Sequence, residues 1–232
     1  EELVFHIVSV LDGASRAVLA AIIVPSPDVR ATVRAFRLAA RRYGLPRLVY
    51  ADRGSPFAAR VFRAGIAVLG SHRVNAKGGN PEANGKIEAY HRDLDLWFLK
   101  RLPKQEVVDA VHLEQLFAAV IEYYLAHPHR EIHTSPRLAL AGVASSRFVS
   151  QERLEEVFLE PRMLKAHRRT GEVDLGSERG KWCVPPELRG DRVEILLDPD
   201  TEVVPRVREP ATGRLLPLER AAVRPEHAAP AP

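Results

Sequence analysis

The first third of the chain switches repeatedly between two apolar rhythms, and that switching constrains its fold more than any other feature. "ELVFHIVSVL" alternates and is rich in Val and Ile, "DGASR" supplies a turn, and "AVLAAIIV" reads as a partner strand. The period then lengthens: Val29, Val33, Phe36 and Ala40 fall on one face of a helix. Ser26 is placed to cap it, Pro27 suits its first turn and Asp28 lies at its positive end. Arg41 and Arg42 occupy the last turn, Gly44 stops it and Pro46 lies beyond. "RLVY" is a short strand that delivers Asp52, Ser55 or Pro56 opens a helix through "FAARVFRA", and "GIAVLGS" reads as another short apolar strand. Strand, strand, helix, strand, helix, strand predicts a mixed α/β sheet with buried central strands and flanking helices.

"HRVNAKGGNPEANG" reads as a loop, followed by a long helix over roughly 82–101 whose buried stripe is Ile87, Leu94, Trp97 and Phe98. Glu88 lies beside that stripe rather than opposite it. A further amphipathic helix is predicted near 110–126, then a short one capped by Ser135 and another capped by Ser150. From about 161 the texture changes. "GEVDL", "KWCVP", "DRVEILLD", "VVPRVRE" and "RLLPLE" alternate with Gly and Pro turns, which predicts a small all-β barrel. The expected organisation is a core over 1–126, a helical connector over 127–160, the barrel over 161–221 and a Pro/Ala-rich, disordered tail over 222–232. Because the chain opens inside a strand pattern, more protein is expected upstream of Glu1.

Composition narrows the partners. A single cysteine, Cys183, excludes an intramolecular disulfide and a Cys-based zinc cluster, and no apolar run is long enough to cross a bilayer. A cytoplasmic protein with no membrane partner is the expectation. Residues 1–101 carry 16 Lys/Arg against 9 Asp/Glu, whereas 102–160 carry 5 against 9. The basic excess therefore sits where a polyanion would find it.

Asp52 ends a strand and Glu88 rides the start of a helix, with 35 residues between them. Two carboxylates so placed can meet over a sheet and hold hard divalent cations through oxygen, which suits two-metal phosphoryl transfer. Either carboxylate alone is nonspecific. Taken with their surroundings, "YADRGSPF" resembles the second-aspartate motif of the retroviral-integrase-like DDE transposases, and "NPEANGKIEAYHRDL" resembles their Asn-Gly-x-x-Glu helix. "LDGASRAVLA" is similar to their second strand hairpin, and the segment from "ERLEEVFLEPRM" through "VEILLDP" looks like the small barrel that follows the core in bacteriophage Mu-type and related bacterial transposases.

The resemblance implies an RNase H-like core, and two Mg²⁺ ions, with Mn²⁺ able to substitute, held by Asp52, Glu88 and a first aspartate whose place falls upstream of Glu1. It implies cleavage at transposon ends and strand transfer by a 3′-hydroxyl, with DNA ends and target as partners and a homo-multimer on the DNA. An accessory ATPase is left open, and the setting would be a bacterial cytoplasm, at the nucleoid. The barrel would grip DNA through phosphates. Asp12, the one early carboxylate in the sheet pattern, is a weaker metal candidate and an ordinary turn residue otherwise. Lys86, His91 and Arg92, which flank Glu88, and Lys77 in the Gly-rich loop are candidate DNA contacts, the alternative for Arg92 being an ion pair with Glu88. Arg53 stands where the family usually has Asn, close to the metals and the DNA. His127, His129 and His133 fall where the family has a His/Pro turn, which favours a structural or DNA role over zinc. Trp182 is read as barrel core. Two other functions stay open: a degenerate transposase that only binds DNA, and a nuclease of RNase H or junction-resolving type.

Overall fold

Two hydrophobic rhythms on one hairpin organise the N-terminal part of the computed structural model, which describes residues 4–51, 59–75, 81–102, 109–142 and 147–221. β1 (His6–Leu11) pairs antiparallel with β2 (Val18–Val24), from His6 opposite Val24 to Leu11 opposite Val18, with an irregularity between Val10 and Leu11. Strand side chains alternate between faces. Val8 and Val24 accordingly pack with Ala31 and Ala35 of α1 (Val29–Tyr43), while Ile7, Leu11 and Ile23 meet the aromatic residues of later helices. β3 (Leu48–Ala51) and β4 (His72–Asn75) form a second, parallel pair, which needs a crossover; α2 (Arg60–Val68) provides it.

The N-cap of α1 is Asp28, not Ser26: the Asp28 carboxylate accepts the Ala31 N–H at 3.0 Å. A carboxylate gains from the helix dipole as well as from the hydrogen bond, so the acidic residue wins over the serine. Gly44 ends the helix with φ 82°, its N–H donating to the Ala40 carbonyl. α2 begins at Arg60 after an Ala59 N-cap that makes no side-chain bond, while Ser55 and Pro56, where a helix is expected to open, lie outside the described residues.

The expected strand "GIAVLGS" is a correction of substance. Gly65 to Val68 belong to α2, and the strand is the more polar "HRVN", His72–Asn75. A short apolar run does not distinguish a strand from a buried helical turn. Tertiary packing decides, because Gly65 is the spot where the Phe158 ring lies against the helix.

α3 (Pro81–Leu94) continues into a π-helical turn, Asp95–Leu99, and packs with α4 (Ala110–Ala126) on the far face of the hairpin. Tyr90, Leu94, Phe98, Leu113, Phe117 and Tyr124 are the buried residues there, joined by Val18. Asp109 caps α4 through the His112 N–H at 2.8 Å. Ser135 caps α5 (Pro136–Ala141), and Ser150 caps α6 (Gln151–Glu156).

The stretch around α6 completes a core instead of merely joining two. Leu154 and Phe158 pack with Val33, Phe36, Phe62 and Ile66, and the rings of Phe36, Phe62 and Phe158 lie 5.5–6.0 Å apart. Buried Arg37 reaches out of α1 and donates to the carbonyls of Leu154 at 3.2 Å and Glu155 at 3.0 Å, its guanidinium 5.2 Å from the centre of the Phe158 ring. The chain divides into two compact units at this point, Glu1–Phe158 and Leu159–Pro232.

The second unit is all β apart from a 3-10 turn at Pro186–Leu188. Its strands are β5 (Glu160–Lys165), β6 (Glu172–Asp174), β7 (Lys181–Cys183), β8 (Arg192–Leu197), β9 (Arg206–Arg208), β10 (Leu215–Pro217) and β11 (Glu219–Arg220). They form a four-stranded sheet, β10-β9-β8-β5, and a three-stranded sheet, β11-β7-β6. Both contribute to one core, where Val173, Val184, Val193, Ile195, Val207 and Leu218 are buried and Trp182 packs at the side. β5 escapes the sequence pattern. It is an edge strand with Pro161 and three charged residues, and only Leu164 of it packs on the core.

Candidate active site

Glu88 lies on α3, and the helix is held to the hairpin from its other side. Tyr90 is 1% exposed and Leu94 4% exposed, so the stripe anchors the helix while Glu88 stays in solvent. The Tyr90 hydroxyl also reaches Ser9 of β1 at 3.2 Å, and burial raises its pKa well above the ordinary tyrosine value. Tyr90 was not in the stripe expected from sequence, although its i, i+4, i+8 spacing with Leu94 and Phe98 carried the signal. Among the described residues no ion pair joins Glu88 to Arg92, and Glu88 accepts no hydrogen bond there. A carboxylate left in solvent on an anchored helix suits a hard cation.

Asp52 follows β3 directly in sequence, but Asp52, Arg53 and Lys77 lie outside the described residues. Among the described residues no group of three or more His, Cys, Asp or Glu is placed to hold a metal ion. His127, His129 and His133 are accordingly not gathered. The His127 Nδ1 meets the Tyr123 carbonyl at 2.8 Å, with its ring 3.6 Å from the Tyr123 ring centre, while His129 Nδ1 accepts the Glu131 N–H at 3.2 Å.

Asp12 is engaged by its own turn. Its Oδ2 accepts from the Ser15 N–H at 2.7 Å, the Ser15 hydroxyl at 2.7 Å and the Ala14 N–H at 3.2 Å. The same turn gathers two cations, Lys86 and Arg16. Lys86 Nζ donates to the Gly13 carbonyl at 3.1 Å, and Arg16 pairs with Glu131 at 2.6 Å while its own carbonyl accepts from Tyr124 at 3.0 Å. The Arg16 hydrogen bond holds the Glu131 carboxyl below its usual range.

His91 is exposed beside Tyr90, its ring centre 5.5 Å away, and partial desolvation lowers its pKa from the usual histidine value. Exposed Arg92 lines a cleft with Asp93, Trp97, Tyr124, His129 and Arg130. Burial raises the Asp93 pKa, partly offset by Arg92 and His129. Burial, reinforced by the Asp93 charge, pushes Tyr124 up to about 12. The described geometry thus ties Lys86 to the hairpin and leaves Glu88, His91 and Arg92 facing solvent on one helix.

No protein-family model matches the sequence, and no curated protein is similar to it. Solved structures are. The catalytic core domain of BIV integrase is 18% identical over 59% of this chain and 86% of that one, with a TM-score of 0.49. The simian T-cell lymphotropic virus intasome in complex with PP2A regulatory subunit B56 gamma is 12% identical, covering 94% of this chain and 73% of that one, with a TM-score of 0.51. The mixed α/β arrangement described above is an integrase-like fold.

Proposed function

We propose that this chain is part of a DDE-type polynucleotidyl transferase that cuts transposon ends and joins them to target DNA. The observation that carries the reading is Glu88, an exposed carboxylate without an ion pair among the described residues, on a helix anchored to the hairpin of an integrase-like fold. Asp52, one residue beyond β3, is its proposed companion.

Carboxylate donors fit Mg²⁺, and Asp52 and Glu88 would hold it. When bound, the metal pair supplies activation of the attacking oxygen and charge relief on the leaving one. In the reaction a 3′-hydroxyl attacks the target phosphorus in line, a new P–O bond forms, and the bond to the leaving 3′-oxygen breaks. The protein contributes positioning: α3 fixes Glu88, while Arg92, His91, Lys77 and Arg53 contact phosphate beside it. Lys86 helps hold the Gly13 turn that buttresses α3.

The second unit is proposed as the small β-barrel of the Mu-type transposases, the active form as a multimer on paired DNA ends, and the setting as a bacterial cytoplasm. A DNA-binding protein without catalysis is the second reading, favoured by Arg53 in the position of the usual Asn. The test is strand transfer by the full-length gene product with Mg²⁺. Asp52→Asn and Glu88→Gln should each abolish transfer and leave DNA affinity unchanged; transfer retained by either variant overturns the proposal.

A further inference from the structure

Among the described residues two that are not glycine take the left-handed backbone region, Arg16 (φ 62°) and His133 (φ 52°). That conformation is strained for a residue with a Cβ and persists only where the surroundings fix it. The two lie in turns far apart in sequence, "DGASRA" over 12–17 and "HREIHT" over 129–134, and one ion pair joins those turns, Arg16 to Glu131. Glycine would suit the backbone at position 16, so what arginine adds there is its side chain.

That side chain is only 12% exposed and fully engaged. Its Nε and Nη2 donate to one Glu131 oxygen at 3.2 and 2.6 Å, and its Nη1 donates to the Gly13 carbonyl. The Arg16 carbonyl in turn accepts the Tyr124 hydroxyl of α4 at 3.0 Å. The turn is therefore fastened to α4 and to the turn after it, and the direction of the Gly13 carbonyl is set by Arg16.

The Gly13 carbonyl is also where α3 docks. A carbonyl oxygen has two lone pairs, and Lys86 Nζ donates to this one at 3.1 Å beside the guanidinium. Two cations on one oxygen repel, and Glu131 is the anion that offsets them: Arg16 above all, with a smaller part from Lys86, holds its carboxyl below the usual range. Lys86 and Tyr90 are four residues apart and share one face of α3, and Tyr90 meets Ser9 of β1 at 3.2 Å. Exposed Glu88 lies between them, about half a turn from each. The helix is thus pinned to the hairpin on both sides of Glu88, and one of the two pins depends on Arg16.

We propose that Arg16 and Glu131 are positioning residues for Glu88. The pair orients the Gly13 carbonyl, the carbonyl holds Lys86, and Lys86 fixes the turn of α3 that carries Glu88. This deepens the proposed function and rests on it for what Glu88 does, but not for how α3 is held.

The experiment uses the full-length gene product and two readouts: amide hydrogen exchange over residues 86–92 without metal or DNA, and single-turnover strand transfer across a Mg²⁺ titration. Arg16→Gly keeps the turn, because glycine prefers φ 62°, and removes only the side chain. Residues 86–92 should exchange several times faster at an almost unchanged melting temperature. The transfer rate should fall about ten- to a hundredfold, the Mg²⁺ concentration for half-maximal rate should rise, and DNA affinity should stay the same. Glu131→Ala should act in the same direction, and the double variant should lose no more than the worse single one, since both act through one carbonyl. Arg16→Lys, which restores a cation, should recover part of both readouts. Arg137→Gln, which removes the exposed pair with Glu122 elsewhere in the unit, should change neither.

Unchanged exchange over 86–92 in Arg16→Gly overturns the clamp. A rate loss that leaves the Mg²⁺ midpoint where it was, and that cooling restores, marks a merely structural arginine and overturns the positioning role. Failure of the catalytic reading is read separately, from transfer retained by Glu88→Gln, and the exchange measurement decides the hold on α3 in either case.

Discussion

Gly65 shows how one residue can mislead a sequence reading and still be required by the fold. Alanine would raise the helix propensity of α2 by up to about 1 kcal/mol. Its Cβ, however, would fall within the van der Waals envelope of the Phe158 ring and 3.0 Å from the Val157 carbonyl. Overpacking of this kind costs about 1–3 kcal/mol. Phe158 is fully buried among Phe36 and Phe62 and has little room to retreat. Gly65→Ala is thus expected to lower stability despite its better propensity, read as a lower urea midpoint; an unchanged or higher midpoint would show that the ring moves freely. Leu154→Ala tests the same core from the α6 side and should cost about 2–5 kcal/mol.

At the scale of an element, α1 is shared by two of the three hydrophobic clusters of the first unit, since Ala31 and Ala35 face the hairpin while Val33 and Phe36 face α2 and Phe158. Its start depends on Asp28. Burial alone would raise the Asp28 pKa, but the Ala31 N–H and the Arg30 side chain outweigh it, and the net shift is downward. A carboxyl whose folded pKa is depressed stabilises the fold above its unfolded value of 3.8 and loses that contribution as pH falls through the folded pKa. Asp28→Ala should cost about 1 kcal/mol at neutral pH. Asp28→Asn keeps an acceptor for the cap without a titrating charge. Its stability relative to wild type should therefore improve as pH falls below about 4. Thermal melts of the three proteins from neutral pH down to that range decide it, and a constant difference between wild type and Asp28→Asn would contradict the assignment.

Across the whole molecule, each compact unit holds one of the two tryptophans, Trp97 in the first and Trp182 in the second. Trp182 donates its indole N–H to the Arg179 carbonyl at 2.8 Å and lies under the Arg220 guanidinium, so its emission reports on the second core. Ile195, fully buried in that core, should cost about 2–5 kcal/mol when cut to alanine. In a Trp97→Phe background the Trp182 transition should move to lower urea by a matching amount. No shift would mean that Trp182 does not sense the core built by Val173, Val193, Ile195 and Val207.

Local chemistry alone made much of this protein legible: the β1–β2 hairpin from its alternation, α1 from its period and Gly44 stop, the Ser135 and Ser150 caps, and most short strands of the second unit from their turn residues. Glu88 and its neighbours could be placed on one helix for the same reason, since i to i+4 spacing is a local property. What tertiary structure decided were the choices that local energies leave nearly balanced. "GIAVLGS" became helix because Phe158, far along the chain, packs on Gly65. β5 became a strand because β8 pairs with it, although half of its own residues are charged and one is a proline. The segment at α6 joined the first core because Arg37 and Phe158 could meet there. Strand pairing likewise brings residues 165–171 against 189–192. Contacts between distant segments leave no periodic trace in either one, and they settle where two local preferences differ by about 1 kcal/mol or less.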